Sequence, residues 1–282
     1  MVKAKRAKPA KKRSIVFRII SLIIIIICLL VLVFWNVDNF KNTQIQENLL
    51  SYIDVSTTDL NDIIPQYVDF VDIKNSDEAS ETTNNTSNTN GDEFSIIDVD
   101  FDKLKQINSS TVGFIFINNT NIQYPVVQAD NNTYYLTHNF KNKYNRSGWI
   151  FADYTNNFDE LDQNTIIYGH NRLTSNMFGD LNYLLNSSWY DNATNKYFDF
   201  STQSTNYIAQ IFAVYTIETE EVSITTNFSS TDAFYESIEY WENLSIYNFG
   251  VDVKADDNIL TLYTCSNNTE YRIIVHARLI AT

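Results

Sequence analysis

"TLYTCSNNTEYRIIVHARLI", residues 261–280, alternates its side chains with the period of two that marks a strand, pauses over a polar turn, and alternates again. Taken with the residues just before it, Ile259, Thr261, Tyr263 and Cys265 share one face, while Leu260, Leu262 and Thr264 share the other. In the second run Arg272, Ile274, His276 and Arg278 share a face. The residues between, SNNTEY, are polar and turn-prone, so the two runs predict a β-hairpin. Cys265 ends the first strand and Arg272 opens the second, which brings a thiol and a guanidinium to one rim of a sheet. A cysteine becomes a useful nucleophile as its thiolate, which a nearby cation or base favours, and acyl transfer needs donors for the developing oxyanion.

Upstream, short β-rich runs recur: TVGFIFI, QYPVVQ, SGWIFADY, NTIIYGH, YFDFST and NYIAQIFAVYTIE, followed by the two strands of the hairpin. Frequent short strands with turn-rich joins predict a closed, mainly antiparallel sheet. Two segments depart from that pattern, DVDFDKLKQIN and SSTDAFYESIEYWENL, and both carry apolar residues at helical spacing. The second opens with Ser230 or Thr231 as a capping residue and sets Phe234, Ile238, Trp241 and Leu244 along one stripe.

The run KNSDEASETTNNTSNTNGDE, residues 74–93, has one alanine as its only apolar side chain and is expected to be a flexible linker, with the folded domain beginning near Phe94. Between Asn39 and Ile73, spaced apolar residues interrupted by Pro65 predict one or two short amphipathic helices forming a stalk. Before them, residues 15–35 are apolar enough to cross a hydrocarbon core of about 30 Å, with Arg18 reaching back to the headgroups. Residues 1–14 hold seven Lys or Arg and no acid, so the positive-inside rule leaves them in the cytoplasm and sends the rest outward, as in a type II protein. A cleaved signal peptide shares this order of charge and apolar run, but the run is longer than a signal core and no small-x-small site follows it. The expected organisation is a basic tail over 1–14, a signal anchor over 15–35, an extracellular stalk and linker over 36–93, and a catalytic domain over 94–282.

Without the eight basic residues up to Arg18, 12 Lys and Arg face 34 Asp and Glu, a net charge near −22 that excludes nucleic acid as a partner. Cys28 lies within the apolar run and reads as a small residue facing lipid. Cys265 is the only thiol beyond that run, so no intramolecular disulfide can use it; the plain alternative is a buried structural cysteine. Of the three histidines, His170 ends the apolar strand NTIIYGH, where catalytic groups are commonly displayed. His276 lies about 13 Å down the strand from Arg272 and reads as structural, while His138 sits in a polar loop. Arg278 is about 20 Å from the rim and reads as a packing or surface residue.

TLYTC followed seven residues later by an arginine, with YGH ending an upstream strand, resembles the signature of the sortases, and the stretch from DFDKLKQIN to SGWIFADY is similar to class B members. The resemblance implies a membrane-anchored cysteine transpeptidase with an eight-stranded β-barrel, an N-terminal helix and an extra helix between two late strands. It implies Cys265 as nucleophile, His170 as general acid/base and Arg272 as transition-state donor, with Asn132, Leu136, Tyr263 and Thr264 near the peptide groove. Tyr263 stands where relatives often carry a small residue, which narrows the expected pocket. The implied chemistry needs no cofactor, and no metal site, such as a calcium signature, stands out.

The implied partners are surface proteins bearing a sorting signal and a peptidoglycan amine. The alternatives are a peptidase acting mainly by hydrolysis, a pilin-polymerising sortase, and a stalked adhesin that would need no Cys, His and Arg at strand ends. A substrate of such an enzyme is expected to end in a sorting motif, an apolar segment and a basic tail, and none follows the last strand here.

Overall fold

The computed structural model describes residues 11–59, 93–172, 174–221, 224–265 and 270–282. They fall into two compact units, Met1–Lys41 and Asn42–Thr282. Helix α1, Lys11–Leu49, crosses from one to the other. In the first unit it exposes an unbroken apolar surface from Ile19 to Val33, and it is long and apolar enough to cross a membrane, with a mean hydropathy of 3.2 in its most apolar window.

The last turns of α1 behave differently. Ile45 and Leu49 are buried in the core of the second unit, Asn42 donates to the Gly148 carbonyl at 3.0 Å, and Gln46 donates to the Asn121 carbonyl at 2.8 Å. Leu50–Tyr52 makes one 3-10 turn, and β1, Ile53–Asp59, then pairs antiparallel with β2, Glu93–Val99, from Ile53 opposite Val99 to Asp59 opposite Glu93. This corrects the expected stalk: the compact unit begins at Asn42, not near Phe94, and Ile53–Asp59 is a strand rather than a helix. The apolar spacing read as a stalk helix buries Ile45 and Leu49 with Ile97, Phe101 and Leu104. The chain VSTT that follows is largely β-branched and suits a pleated surface. Pro65 and all but the last residue of the expected linker over 74–93 lie outside the described residues.

Helix α2, Phe101–Ile107, is capped by Asp100, which accepts from the Lys103 N–H at 3.0 Å. The eight strands predicted from the sequence follow: β3 Thr111–Phe116, β4 Gln123–Val127, β5 Phe151–Ala152, β6 Asn164–His170, β7 Tyr197–Thr202, β8 Asn206–Glu218, β9 Ile259–Cys265 and β10 Tyr271–Ala281. They close into a barrel in the order β10-β8-β7-β3-β4-β5-β6-β9. Strands β4 and β5 run parallel, as do β6 and β9, and the remaining pairs are antiparallel.

Alternation sorts the side chains as the sequence predicts. Leu260 and Leu262 of β9 join Phe114, Phe151, Ile167, Phe198 and Phe200 in the main core, while Ile259 belongs to a second cluster on the other face. That second cluster is roofed by α3, Thr231–Leu244. Ser230 caps α3 by accepting from the Ala233 N–H at 3.1 Å, and Phe234, Ile238 and Trp241 bury their stripe against Phe212, Tyr215 and Ile274. Each of these side chains contributes roughly 1.5–3 kcal/mol by leaving water.

Candidate active site

Strands β6 and β9 are distant in sequence and adjacent in the barrel. Their parallel register pairs Tyr168 with Tyr263, Gly169 with Thr264 and His170 with Cys265, so the histidine and cysteine predicted to act together occupy one rung at the end of both strands. Neighbouring strands lie about 4.8 Å apart. Across β9, the antiparallel ladder to β10 runs from Arg278 opposite Ile259 to Ile274 opposite Tyr263, and continuing that register by two residues puts Arg272 opposite Cys265. The two strands of the predicted hairpin are therefore present, His170 and Cys265 share a rung, and Arg272 opens β10 just past the last paired residues, Ile274 and Tyr263.

Local packing explains the residues around this rung. A Cβ at Gly169 would lie 2.5 Å from Ile150 Cδ1 and 2.7 Å from the Phe178 ring, so a glycine is required where the strand passes under that wall. His170 is buried, at 6% exposure, and its Nε2–H donates to the Leu136 carbonyl at 2.9 Å, since a carbonyl can only accept. A proton moved by this imidazole therefore travels on Nδ1. Arg272 is half-buried at the start of β10.

Thr264 turns into the barrel wall. It is buried, and its Oγ1 accepts from the Ile273 N–H at 2.8 Å, standing in for a main-chain acceptor where β9 and β10 part. This bond gives Thr264 a structural role in holding the rim together.

A pocket of about 320 Å³ opens one step back along the same strands. Asn132, Leu136 and Tyr263 line it, joined by Phe151, Tyr168, Thr219 and Ile224. Tyr263 meets Tyr168 edge-on at 5.3 Å, and Tyr168 lies 5.2 Å from Phe151, so the aromatic wall is continuous and Tyr263 narrows the space. Leu136 contributes to the pocket and, through its carbonyl, to the orientation of His170.

Behind this wall stands Asp153, which sequence reasoning does not single out. Its Oδ2 accepts from Asn132 Nδ2 at 2.7 Å and from the Tyr168 hydroxyl at 2.9 Å, and its Oδ1 accepts from the Thr155 N–H at 2.9 Å and the Thr155 hydroxyl at 2.6 Å. Burial pushes the Asp153 pKa up, but the bonds from Thr155, Tyr168 and Asn132 together outweigh it and hold the carboxylate below its ordinary range. The only sequence signal is an acid ending the aromatic strand SGWIFADY.

The other histidines stay out of the rung. His276 is fully buried and stacked on Trp241 at 3.9 Å. Its Nδ1–H donates to Thr261 Oγ1, which donates on to Asn164 Oδ1, while the Tyr215 hydroxyl donates to Nε2. Burial pushes its pKa well below the usual value, so it remains a neutral strand residue, as expected. His138 stacks on Tyr134 at 4.1 Å and bonds the Tyr134 carbonyl. Arg278 packs at the far end of β10, with Nε donating to Gln210 Oε1 at 2.7 Å.

Comparison with known proteins matches this geometry. A sortase domain model matches residues 115–280. A sortase B of Listeria monocytogenes is 38% identical over 180 residues, which cover 63% of this chain and 72% of that one. A Bacillus anthracis crystal structure described as similar to sortase B is 37% identical with a TM-score of 0.61, covering 64% of this chain and 83% of that one. A Staphylococcus aureus sortase B–substrate complex is 33% identical with a TM-score of 0.62, covering 64% of this chain and 85% of that one.

Proposed function

Because this chain belongs to the class B sortases, which are cysteine transpeptidases, we propose that it cleaves a C-terminal sorting motif of surface proteins after threonine and passes the acyl group to a cell-wall amine. The observation that carries the reading is the shared rung of His170 and Cys265, with Arg272 opposite in continued register.

In the first half-reaction the Cys265 thiolate attacks the threonine carbonyl, the carbonyl electrons move onto oxygen, and Arg272 donates to that oxyanion. The intermediate collapses by breaking the peptide C–N bond, and the His170 imidazolium gives its proton to the departing amine. A thioester and a neutral imidazole remain. In the second half-reaction His170 takes the proton from an incoming amine as its nitrogen attacks the thioester, and Cys265 leaves as thiolate. The new amide joins the surface protein to the wall, and the starting charges are restored.

The pocket walled by Tyr168 and Tyr263 receives the residues of the motif that precede threonine, with Asn132 and Leu136 in contact with the peptide. The basic residues of 1–14 stay in the cytoplasm, residues 15–35 span the membrane, and the catalytic unit faces outward, where surface proteins and wall precursors meet.

The test is Cys265→Ala. This variant is expected to fold like the wild type and to yield neither cleaved peptide nor a thioester-linked adduct by mass spectrometry. Turnover above background in that variant would overturn the assignment.

A further inference from the structure

Asn132 presents to the pocket whatever its amide has left after its inner bonds are made. Its Nδ2 donates to Asp153 Oδ2 and its Oδ1 accepts from the Tyr154 N–H at 2.9 Å. A carboxylate can only accept and a backbone N–H can only donate, so the two partners admit one orientation of the amide and forbid its flip. Tyr168 is held in the same way: its hydroxyl proton goes to the same carboxylate oxygen, which makes the phenol oxygen an acceptor. Asp153 itself is 7% exposed and does not line the pocket. Its other oxygen is secured by Thr155.

We propose that Asp153 is a positioning residue that sets the hydrogen-bond polarity of the peptide pocket, turning the second N–H of Asn132 toward the bound peptide. The inference rests on the transpeptidase reading for its ligand. Position 132 then offers a donor to a peptide oxygen. Asp153 does this without touching the substrate or the reacting atoms.

Two variants of the full chain in detergent test it. D153N keeps the volume but leaves one acceptor oxygen where two receive four bonds, so its NH2 faces either Asn132 and Tyr168 or the Thr155 N–H, and each orientation loosens the anchor of Asn132. The exchanged pair D153N/N132D restores complementary partners across the two positions and keeps the Tyr154 N–H satisfied, yet it reverses what position 132 presents. The probe is a quenched-fluorescent peptide carrying the sorting motif that the wild type cleaves.

For D153N, KM is expected to rise about 10-fold, the loss of about one hydrogen bond, while iodoacetamide alkylates Cys265 at the wild-type rate. For the exchanged pair, thermal stability is expected to return to within a few degrees of the wild type, with KM still raised. An unchanged KM in D153N overturns the proposal, and so does recovery of KM together with stability in the exchanged pair, because a purely structural acid behaves that way. If D153N does not fold, the exchanged pair alone decides by the same criterion. Fluorescence anisotropy of the same peptide in a Cys265→Ala background separates the two readings. Weaker binding in D153N without turnover by the parent chain retains the pocket and removes the transpeptidase assignment.

Discussion

Thr264→Val replaces one hydroxyl by a methyl group of the same branched shape, at the point where the barrel lets β9 and β10 part. The lost acceptor receives the Ile273 N–H at 2.8 Å, and both residues are buried, Thr264 at 1% and Ile273 at 5% exposure. No water replaces the hydroxyl there, so the substitution exposes the full desolvation penalty of a buried N–H, about 1–3 kcal/mol. For a unit of this size each kcal/mol moves the melting temperature by roughly 2–4 °C, which predicts a fall of about 2–12 °C. The damage falls on the rung itself. Ile273 adjoins Arg272 and Thr264 adjoins Cys265, so β9 and β10 separate where thiol and guanidinium must converge. Peptide turnover is expected to fall at least ~10-fold, on the sensitivity of acyl transfer to small misplacements. Thr264→Ser, which keeps the acceptor, is expected to retain most of both properties. Thermal unfolding of the full chain in detergent, paired with peptide cleavage, provides the measurements. A valine variant that melts within 1 °C of the wild type and cleaves normally would refute the role assigned to this hydroxyl.

Arg272→Lys should lose most activity while folding normally, because an ammonium cannot reproduce the planar fork of donors; near-normal kcat would move oxyanion stabilisation elsewhere. Asp199 is 3% exposed with an unpartnered Oδ2, and burial pushes its pKa up to about 8 against a bond from the Ile97 N–H. The folded chain therefore holds a proton that the unfolded chain releases, so stability should fall as pH rises from about 4 to 8, by up to ~1.4 kcal/mol per unit, and level off above. Asp199→Asn should flatten that slope and melt higher than the wild type at pH 8; an unchanged pH profile would show that the carboxylate finds a partner. Protease added to intact protoplasts should nick the chain within residues 74–93, giving on denaturing gels a fragment from about residue 94 to the end that stays with the cells because Asn42–Asp59 packs into the same unit; complete protection would contradict an outward-facing domain.

Much of the site is legible in the order of the residues alone. Cys265 and Arg272 are joined by a short polar turn, so strand alternation brings them to one rim, and the apolar run over 15–35 announces a membrane-crossing helix by composition. His170 is legible as a strand end and no further. That it meets Cys265 depends on β6 and β9 running side by side and parallel, a pairing between segments nearly a hundred residues apart that only closure of the barrel selects. Asp153 is silent in the sequence because its significance lies in four hydrogen bonds from three residues, two of them distant along the chain, and no local pattern records such convergence.

The start of the domain escapes the sequence for a related reason. Ile45 and Leu49 have the spacing of an amphipathic helix whatever their stripe packs against, and the core they enter is built by Ile97, Phe101 and Leu104 across the undescribed residues 60–92. Thr264 resembles a groove residue because it precedes the nucleophile. Alternation turns it to the opposite face from Cys265, and the barrel decides that this face is buried and that its hydroxyl completes the ladder to β10. Period, charge and turn chemistry are local and survive in the sequence, whereas strand neighbours and buried hydrogen-bond partners are chosen by closing a sheet on itself, and they exist only in the folded chain.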